Sequence, residues 1–160
     1  MTAPASRTDS PPGEKVVIQL RTRTIKGFLD SPAGGAIEEL LRNTSRRPPE
    51  TFRIRILESN SVKEISAKDI KAVFYVNSFE GNADHQHLNF HSRAPIVDGI
   101  WMRVQFLDGE VMEGIVCNSL RYLVDPGFYL LPTDPDSNNR PVYVRKSGLA
   151  DHRILGMRKL

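Results

Sequence analysis

The sequence predicts a mainly β protein made of two small β-barrel units in tandem, and three observations lead to this prediction. Short apolar runs of strand length recur along the chain, polar turn residues separate them, and their order in the first half matches their order in the second. Apolar runs bounded by Gly, Pro, Asn and Asp are typical of β-strands. A chain of 160 residues has room for two units of about 60–70 residues each.

The turn-rich and polar stretches divide the chain into four parts. Residues 1–14 are rich in Pro, Ser, Thr and Gly and are predicted to form a disordered leader. The first β-barrel-like unit is predicted over 15–81, a polar linker over 82–98 and the second unit over 99–160.

Five runs predict the strands of the first unit. The clearest is 52–56, where apolar residues alternate with Arg53 and Arg55 as in a half-buried strand. The run 70–76 is rich in β-branched and aromatic residues, which predicts a strand buried on both faces. One short helix is expected at 36–43, inserted in this unit, because its apolar residues have helical spacing. The five strand-like runs are 16–20, 24–29, 52–56, 62–65 and 70–76.

The second unit repeats this layout. Asp108-Gly109 between two apolar runs is a strong hairpin signal. Gly27 in the second run of the first unit is matched by Gly114, and Ile70 before the last run is matched by Leu149. These matches favour an internal duplication, with a single larger β domain as the alternative. The five runs are 100–106, 111–116, 128–131, 142–144 and 152–155.

The opening of the second unit resembles an Sm-like barrel, in the wider SH3-like class. An apolar strand, 104–106, leads to Asp108-Gly109 and then to a strand with a central glycine, Gly114. Glycine inside a strand commonly marks the bend at a barrel corner. The resemblance implies RNA binding, although the Asn that contacts RNA in Sm proteins has no counterpart around Asp125.

The segments 70–81, 104–111 and 128–139 resemble an uncharacterised family of bacterial domains often found beside PilZ, response-regulator and other signalling modules. This resemblance covers both halves of the chain. It implies a binding role in bacterial signalling, and the family supplies no catalytic residues to transfer.

Composition limits the function classes. Hydrophobic residues make up 39% and charged residues 26%, as in folded proteins, and the net charge of +3 is lower than expected of a dedicated nucleic-acid binder. Cys117 is the only cysteine, which fits a reducing compartment. The sequence has no secretory signal and no apolar run of about 18 residues, so a cytoplasmic location away from membranes is expected.

Arginine and lysine residues are the best candidates for a ligand or nucleic-acid site, because guanidinium groups bind phosphate oxygens in pairs. A solvated sheet face balanced by glutamates is the alternative interpretation. The candidate residues are Arg46, Arg47, Arg53, Arg55, Arg145 and Lys146.

Other clusters are weaker candidates. His85, His87 and His91 have spacing that would allow a metal, but a polar linker containing histidines is the simpler interpretation. Cys117 is expected in the core, and the Asp-rich stretch 134–139 is expected to be a turn rather than a calcium loop. We therefore predict no metal and no cofactor.

The sequence favours a non-enzymatic binding or adaptor module that contacts protein partners. Nucleic-acid binding, with RNA as the expected target, is the first alternative, and binding of a small ligand such as a nucleotide messenger is the second. Self-association is a further possibility that the sequence leaves open.

Overall fold

The computed structural model describes residues 13–29, 50–80, 99–118, 121–133 and 139–158. Ten strands, one helix of four residues and two 3-10 turns form within these ranges. The turns are Ala67–Asp69 and Lys146–Gly148, and the helix, α1, is Arg121–Val124. The strands are β1 Lys15–Leu20, β2 Thr24–Leu29, β3 Thr51–Ile56, β4 Val62–Ser66, β5 Ile70–Val76, β6 Gly99–Phe106, β7 Val111–Val116, β8 Gly127–Pro132, β9 Asn139–Arg145 and β10 Leu149–Arg158.

The prediction of a mainly β protein is confirmed, and every predicted strand is present. The largest differences are at the ends of the last two strands, which are longer than the apolar runs that predict them. Helix α1 was not predicted, because four residues are too few to show helical periodicity. The predicted helix at 36–43 and the predicted linker at 82–98 lie outside the described residues, as does nearly all of the predicted leader.

All ten strands belong to one antiparallel sheet. Its order is β10-β6-β7-β8-β9-β5-β1-β2-β3-β4. The first half, β1–β5, has its last strand beside its first, and the second half, β6–β10, has the same order. The halves join where β9 pairs with β5, with Ala72 opposite Val144 and Phe74 opposite Val142. The sheet is therefore continuous across the two halves.

The joined strands β5 and β9 contribute to two hydrophobic cores, one on each face of the sheet. Side chains alternate between the two faces along a strand. Val73 and Tyr143 enter the core of the first half, which we call core A. Phe74, Val142 and their neighbours on the same face enter the core of the second half, core B. Each core thus takes side chains from both halves, which couples the folding of the halves.

Two glycines allow neighbouring strands to approach closely. A Cβ on Gly27 in β2 would lie 2.2 Å from the carbonyl oxygen of Arg55, and a Cβ on Gly114 in β7 would lie 2.2 Å from Cδ2 of Leu130. Each strand therefore needs glycine at the matched position that the sequence comparison identified.

Lys71 forms an ionic contact between the halves. Its Nζ on β5 lies 2.6 Å from Oδ2 of Asp108 and 2.7 Å from Oε2 of Glu110, both in the β6–β7 hairpin. The same Nζ lies 4.4 Å from the ring centre of Phe106, within cation–π range. The hydrogen bond from Lys71 is the main reason that the pKa of Asp108 is lowered.

Candidate functional site

The strands at the two ends of the sheet are much more exposed to solvent than the two strands of its central joint. β5 and residues 141–145 of β9 are almost completely buried, whereas β4 and β10, which occupy the corresponding positions in the other half, are mostly exposed where their side chains are described. The two halves can be aligned on their 3-10 turns, Ala67–Asp69 and Lys146–Gly148. In this alignment His152 on β10 occupies the position of Val73 on β5, and Glu64 on β4 occupies the position of Tyr143 on β9. Charged or polar residues on an edge strand oppose edge-to-edge association of identical chains.

β10 is the longest strand and forms one end of the sheet. Among the described strands it pairs only with β6, and it has two register shifts, between Leu149 and Asp151 and between Ile154 and Gly156. Ile154 is 57% exposed and Met157 is 65% exposed. An exposed strand edge of this length offers unpaired backbone groups together with apolar side chains.

Helix α1 extends the apolar surface beside β10. The ring of Tyr122 on α1 lies 5.9 Å from the ring of His152 on β10, so the helix is adjacent to this strand. The next two residues, Leu123 and Val124, are strongly exposed. Ile154, Met157, Leu123 and Val124 form what we call the β10 surface. Exposed apolar side chains on neighbouring elements are a feature of many contact surfaces.

The structure does not gather the predicted basic residues into one patch. Arg46 and Arg47 lie outside the described residues. Arg53 and Arg55 are exposed on β3, on the face opposite to Ile54, which is in core A. Glu64 on β4 pairs in register with Arg53. The described part of this arginine face is therefore close to negative charge.

Arg145 and Lys146 lie elsewhere and point in different directions. Arg145 is on β9, two residues after Tyr143, and is 9% exposed. Its Nη1 lies 3.5 Å from the Tyr143 hydroxyl, while its Nε has no hydrogen-bond partner. Lys146 donates to the carbonyl oxygen of Tyr122 and its Nζ lies 5.1 Å from the ring centre of that residue. Burial lowers the pKa of Lys146.

Three tyrosines pack against each other beside Arg145. The ring centres of Tyr129 and Tyr143 are 5.1 Å apart, and those of Tyr75 and Tyr129 are 6.4 Å apart. Burial raises the pKa of Tyr129 to about 12, and burial also raises the pKa of Tyr75 and Tyr143. These hydroxyl groups therefore stay protonated at neutral pH.

A buried carboxylate lies on β7. Oε1 of Glu113 accepts a hydrogen bond of 3.0 Å from Nε1 of Trp101, and Oε2 lies 3.7 Å from Nη2 of Arg103. Trp101 and Arg103 are on the adjacent strand β6, so the cluster is a cross-strand arrangement. Because Glu113 is held by both an arginine and an indole, we assign it a structural role.

The remaining candidates provide no further site in the described part of the chain. His85, His87 and His91 lie outside it, as does most of the 134–139 stretch. No group of three or more metal-ligating side chains occurs among the described residues. Cys117 is half-buried just after β7, whereas the sequence predicted a core position. None of the described helices is long and apolar enough to cross a membrane.

Sequence reasoning missed two features for which a signal existed. The signal was a charged residue inside an apolar run: Lys71 in the run 70–76 and Glu113 in the run 111–116. In the structure, Lys71 contacts Glu110 and Glu113 accepts a hydrogen bond from Trp101. The exposure of Ile154 and Met157 gave no signal, because an apolar run does not show which strand ends the sheet.

The fold is that of an antiparallel β protein whose two halves have the same strand order. A family comparison covers both halves. The chain matches, over residues 13–156, the model described as "Family of unknown function (DUF6982)". The chain belongs to this family. No curated protein and no solved structure matches it significantly.

Proposed function

We propose that this protein is a non-enzymatic adaptor that binds a protein partner by adding a strand from that partner to the free edge of β10. The single observation that carries the proposal is the β10 surface. The sheet ends at this long strand, and the strand and the adjacent helix expose Ile154, Met157, Leu123 and Val124. In strand addition, backbone hydrogen bonds supply affinity and side-chain contacts supply specificity.

The partner is a different protein with an apolar extended segment. A second copy of this chain would have to offer β4, the opposite end of the sheet, to β10. At the central joint, Phe74 of β5 lies opposite Val142 of β9. In the alignment of the two halves, Arg153 corresponds to Phe74 and Lys63 corresponds to Val142. The same pairing between two copies would therefore place Lys63 of one copy opposite Arg153 of the other. Like charges directly opposite each other are destabilising. This like-charge pair weighs against head-to-tail repetition of the joint, while the same register would place Glu64 opposite His152.

We also propose an evolutionary origin and a cellular location for this protein. The matched strand order of the two halves supports an internal duplication of an Sm-like or SH3-like barrel unit. The lone Cys117 suits a reducing compartment, so we place the interaction in the bacterial cytoplasm, within a signalling assembly.

Site-specific photo-crosslinking in cells tests this proposal. A photoreactive residue at position 154 or 157 is expected to crosslink a partner protein, while the same residue at position 62 on β4 serves as the matched control, since Val62 is also exposed. The substitutions Ile154→Lys and Met157→Lys are expected to abolish the adduct and the co-purification of the partner, and Val62→Lys is expected to preserve both. Partner binding that survives both β10 substitutions contradicts the proposal.

Nucleic-acid binding is the second candidate, and Arg53 and Arg55 are the observation that favours it. They lie on one exposed face of β3. Fluorescence anisotropy with random RNA and DNA oligonucleotides, at about 50 and 200 mM salt, tests this candidate, because phosphate contacts weaken steeply with salt. Salt-dependent binding that is lost in Arg53→Ala/Arg55→Ala would favour it, and no binding at low salt would eliminate it.

A further inference from the structure

The guanidinium of Arg145 is buried, and its hydrogen-bonding capacity is only partly used in the described part of the chain. The side chain lies on the core A side of β9, the strand that joins the two halves. Only 9% of the residue is exposed, and no ion pair links it to a carboxylate in the described part of the chain. Arginine remains charged at every physiological pH. A buried charge without a partner is strongly destabilising, so its retention calls for a compensating group.

The pattern of hydrogen bonds leaves Nε of the guanidinium without a partner. Nη1 is used by the Tyr143 hydroxyl at 3.5 Å, and Nε is buried without a partner. The edge formed by Nε and Nη2 is one of the two-donor edges with which arginine binds carboxylate and phosphate oxygens. Burial is the main reason that the pKa of Tyr143 is raised, and the charge of Asp125 adds to this rise.

The surroundings of this edge are rigid. Gly127 is the register partner of Arg145 on β8, and a Cβ there would lie 2.6 Å from the Tyr143 hydroxyl. Tyr143 is fully buried against Phe52 and Tyr129. A guanidinium held between packed strands and a fixed hydroxyl is preorganised, which lowers the entropic cost of binding.

We propose that Arg145, together with the Tyr143 hydroxyl, forms a binding site for a small oxyanion, of the phosphate or carboxylate class. The restricted exposure of Arg145 selects a small ion over the backbone of a polymer. This site uses residues of β9 that are not part of the β10 surface, although helix α1 lies near both, because Lys146 contacts Tyr122.

Nuclear magnetic resonance of the arginine side chain tests the proposal directly. The Nε–Hε resonance of Arg145, assigned with the Arg145→Met variant, is expected to shift and saturate as sodium phosphate or sodium acetate is added at constant ionic strength. Saturation by phosphate alone assigns the site to phosphate groups, and saturation by acetate alone assigns it to carboxylates. An unchanged resonance with both ions, or the same change with chloride, overturns the proposal.

Thermal unfolding supplies a second test that does not depend on assignment. Ion binding to the native state should raise the midpoint temperature of the wild type by several degrees at saturating ion. Arg145→Met should have a higher midpoint than the wild type without the ion, because it removes a buried unpaired charge, and should not respond to the ion. Arg53→Met, a matched change of an exposed arginine, should respond like the wild type. A wild-type response retained in Arg145→Met refutes the assignment.

Discussion

Replacing Lys71 by methionine is expected to weaken the junction between the two halves. The change keeps the length and the apolar stem of the side chain, which packs near Phe106, but removes the charge. The side chain of Lys71 is only 12% exposed, and its ammonium contacts Glu110 at 2.7 Å and Asp108 at 2.6 Å. Its loss therefore removes two charge-assisted hydrogen bonds at once.

The magnitude follows from the exposure of each partner. Hydrogen bonds to charged groups contribute about 1.5–3 kcal/mol when buried, whereas exposed ion pairs contribute about 0–1 kcal/mol. Glu110 is about three-quarters buried and contributes near the lower end of the first range, while Asp108 is 57% exposed and belongs to the second. The cation–π contact adds about 0.5 kcal/mol. We expect the free energy of unfolding to fall by about 2 kcal/mol.

Urea denaturation of a double-mutant cycle provides the assay. Lys71→Met and Glu110→Gln should each destabilise, and the double variant should cost less than the sum of the two, because both remove the same contact. Glu58→Gln, a change of an exposed glutamate in a turn of the first half, is the matched control. A coupling energy near zero between Lys71 and Glu110 would refute the conclusion that this contact ties the halves together.

Three other properties follow from the packing and from the shifted pKa values. Gly27→Ala should lower the free energy of unfolding in urea by about 2–3 kcal/mol, because its Cβ overlaps the Arg55 carbonyl, while Gly156→Ala, whose Cβ meets Trp101 at an ordinary 3.6 Å, should be nearly neutral. The pKa of Asp108 is lowered in the folded state, so its contribution to stability is present above the unfolded pKa of about 4 and is lost as the pH falls through the folded value. Urea titrations across acidic pH should show this loss in the wild type and a weaker dependence in Asp108→Asn. All four tyrosines have raised pKa values, so stability should fall as the pH rises above about 10, and tyrosinate absorbance should increase together with unfolding rather than before it. Tyrosinate formation at the ordinary pKa in the folded protein would contradict the burial of these residues.

The sequence predicts the strands well because their signals are local. The alternation in 52–56 and the apolar run 70–76 depend on neighbouring residues, and both became strands with the expected burial. The matched positions of Gly27 and Gly114 could be found for the same reason. Each serves a close approach within its own half.

The central joint and the sites could not be predicted because they depend on pairing between distant strands. Nothing local to β9 indicates that it pairs with β5, or that Tyr143 enters the core of the other half. The same pairing buries Arg145, which the sequence predicted as a candidate binding residue of the second unit. The exposure of β10 follows from its position at the end of the sheet, which is a property of the whole topology.

Residue-resolved hydrogen exchange tests most directly whether the two halves are one continuous sheet joined at β5 and β9. We expect the paired amides of β5 and β9 to exchange slowest and with the same free energy of opening, because both strands are buried in two shared cores. The outer strands β4 and β10 should exchange faster. Fast exchange in β9 while β5 stays protected, or separate opening free energies for the two strands, would show that the halves fold independently and would contradict this account.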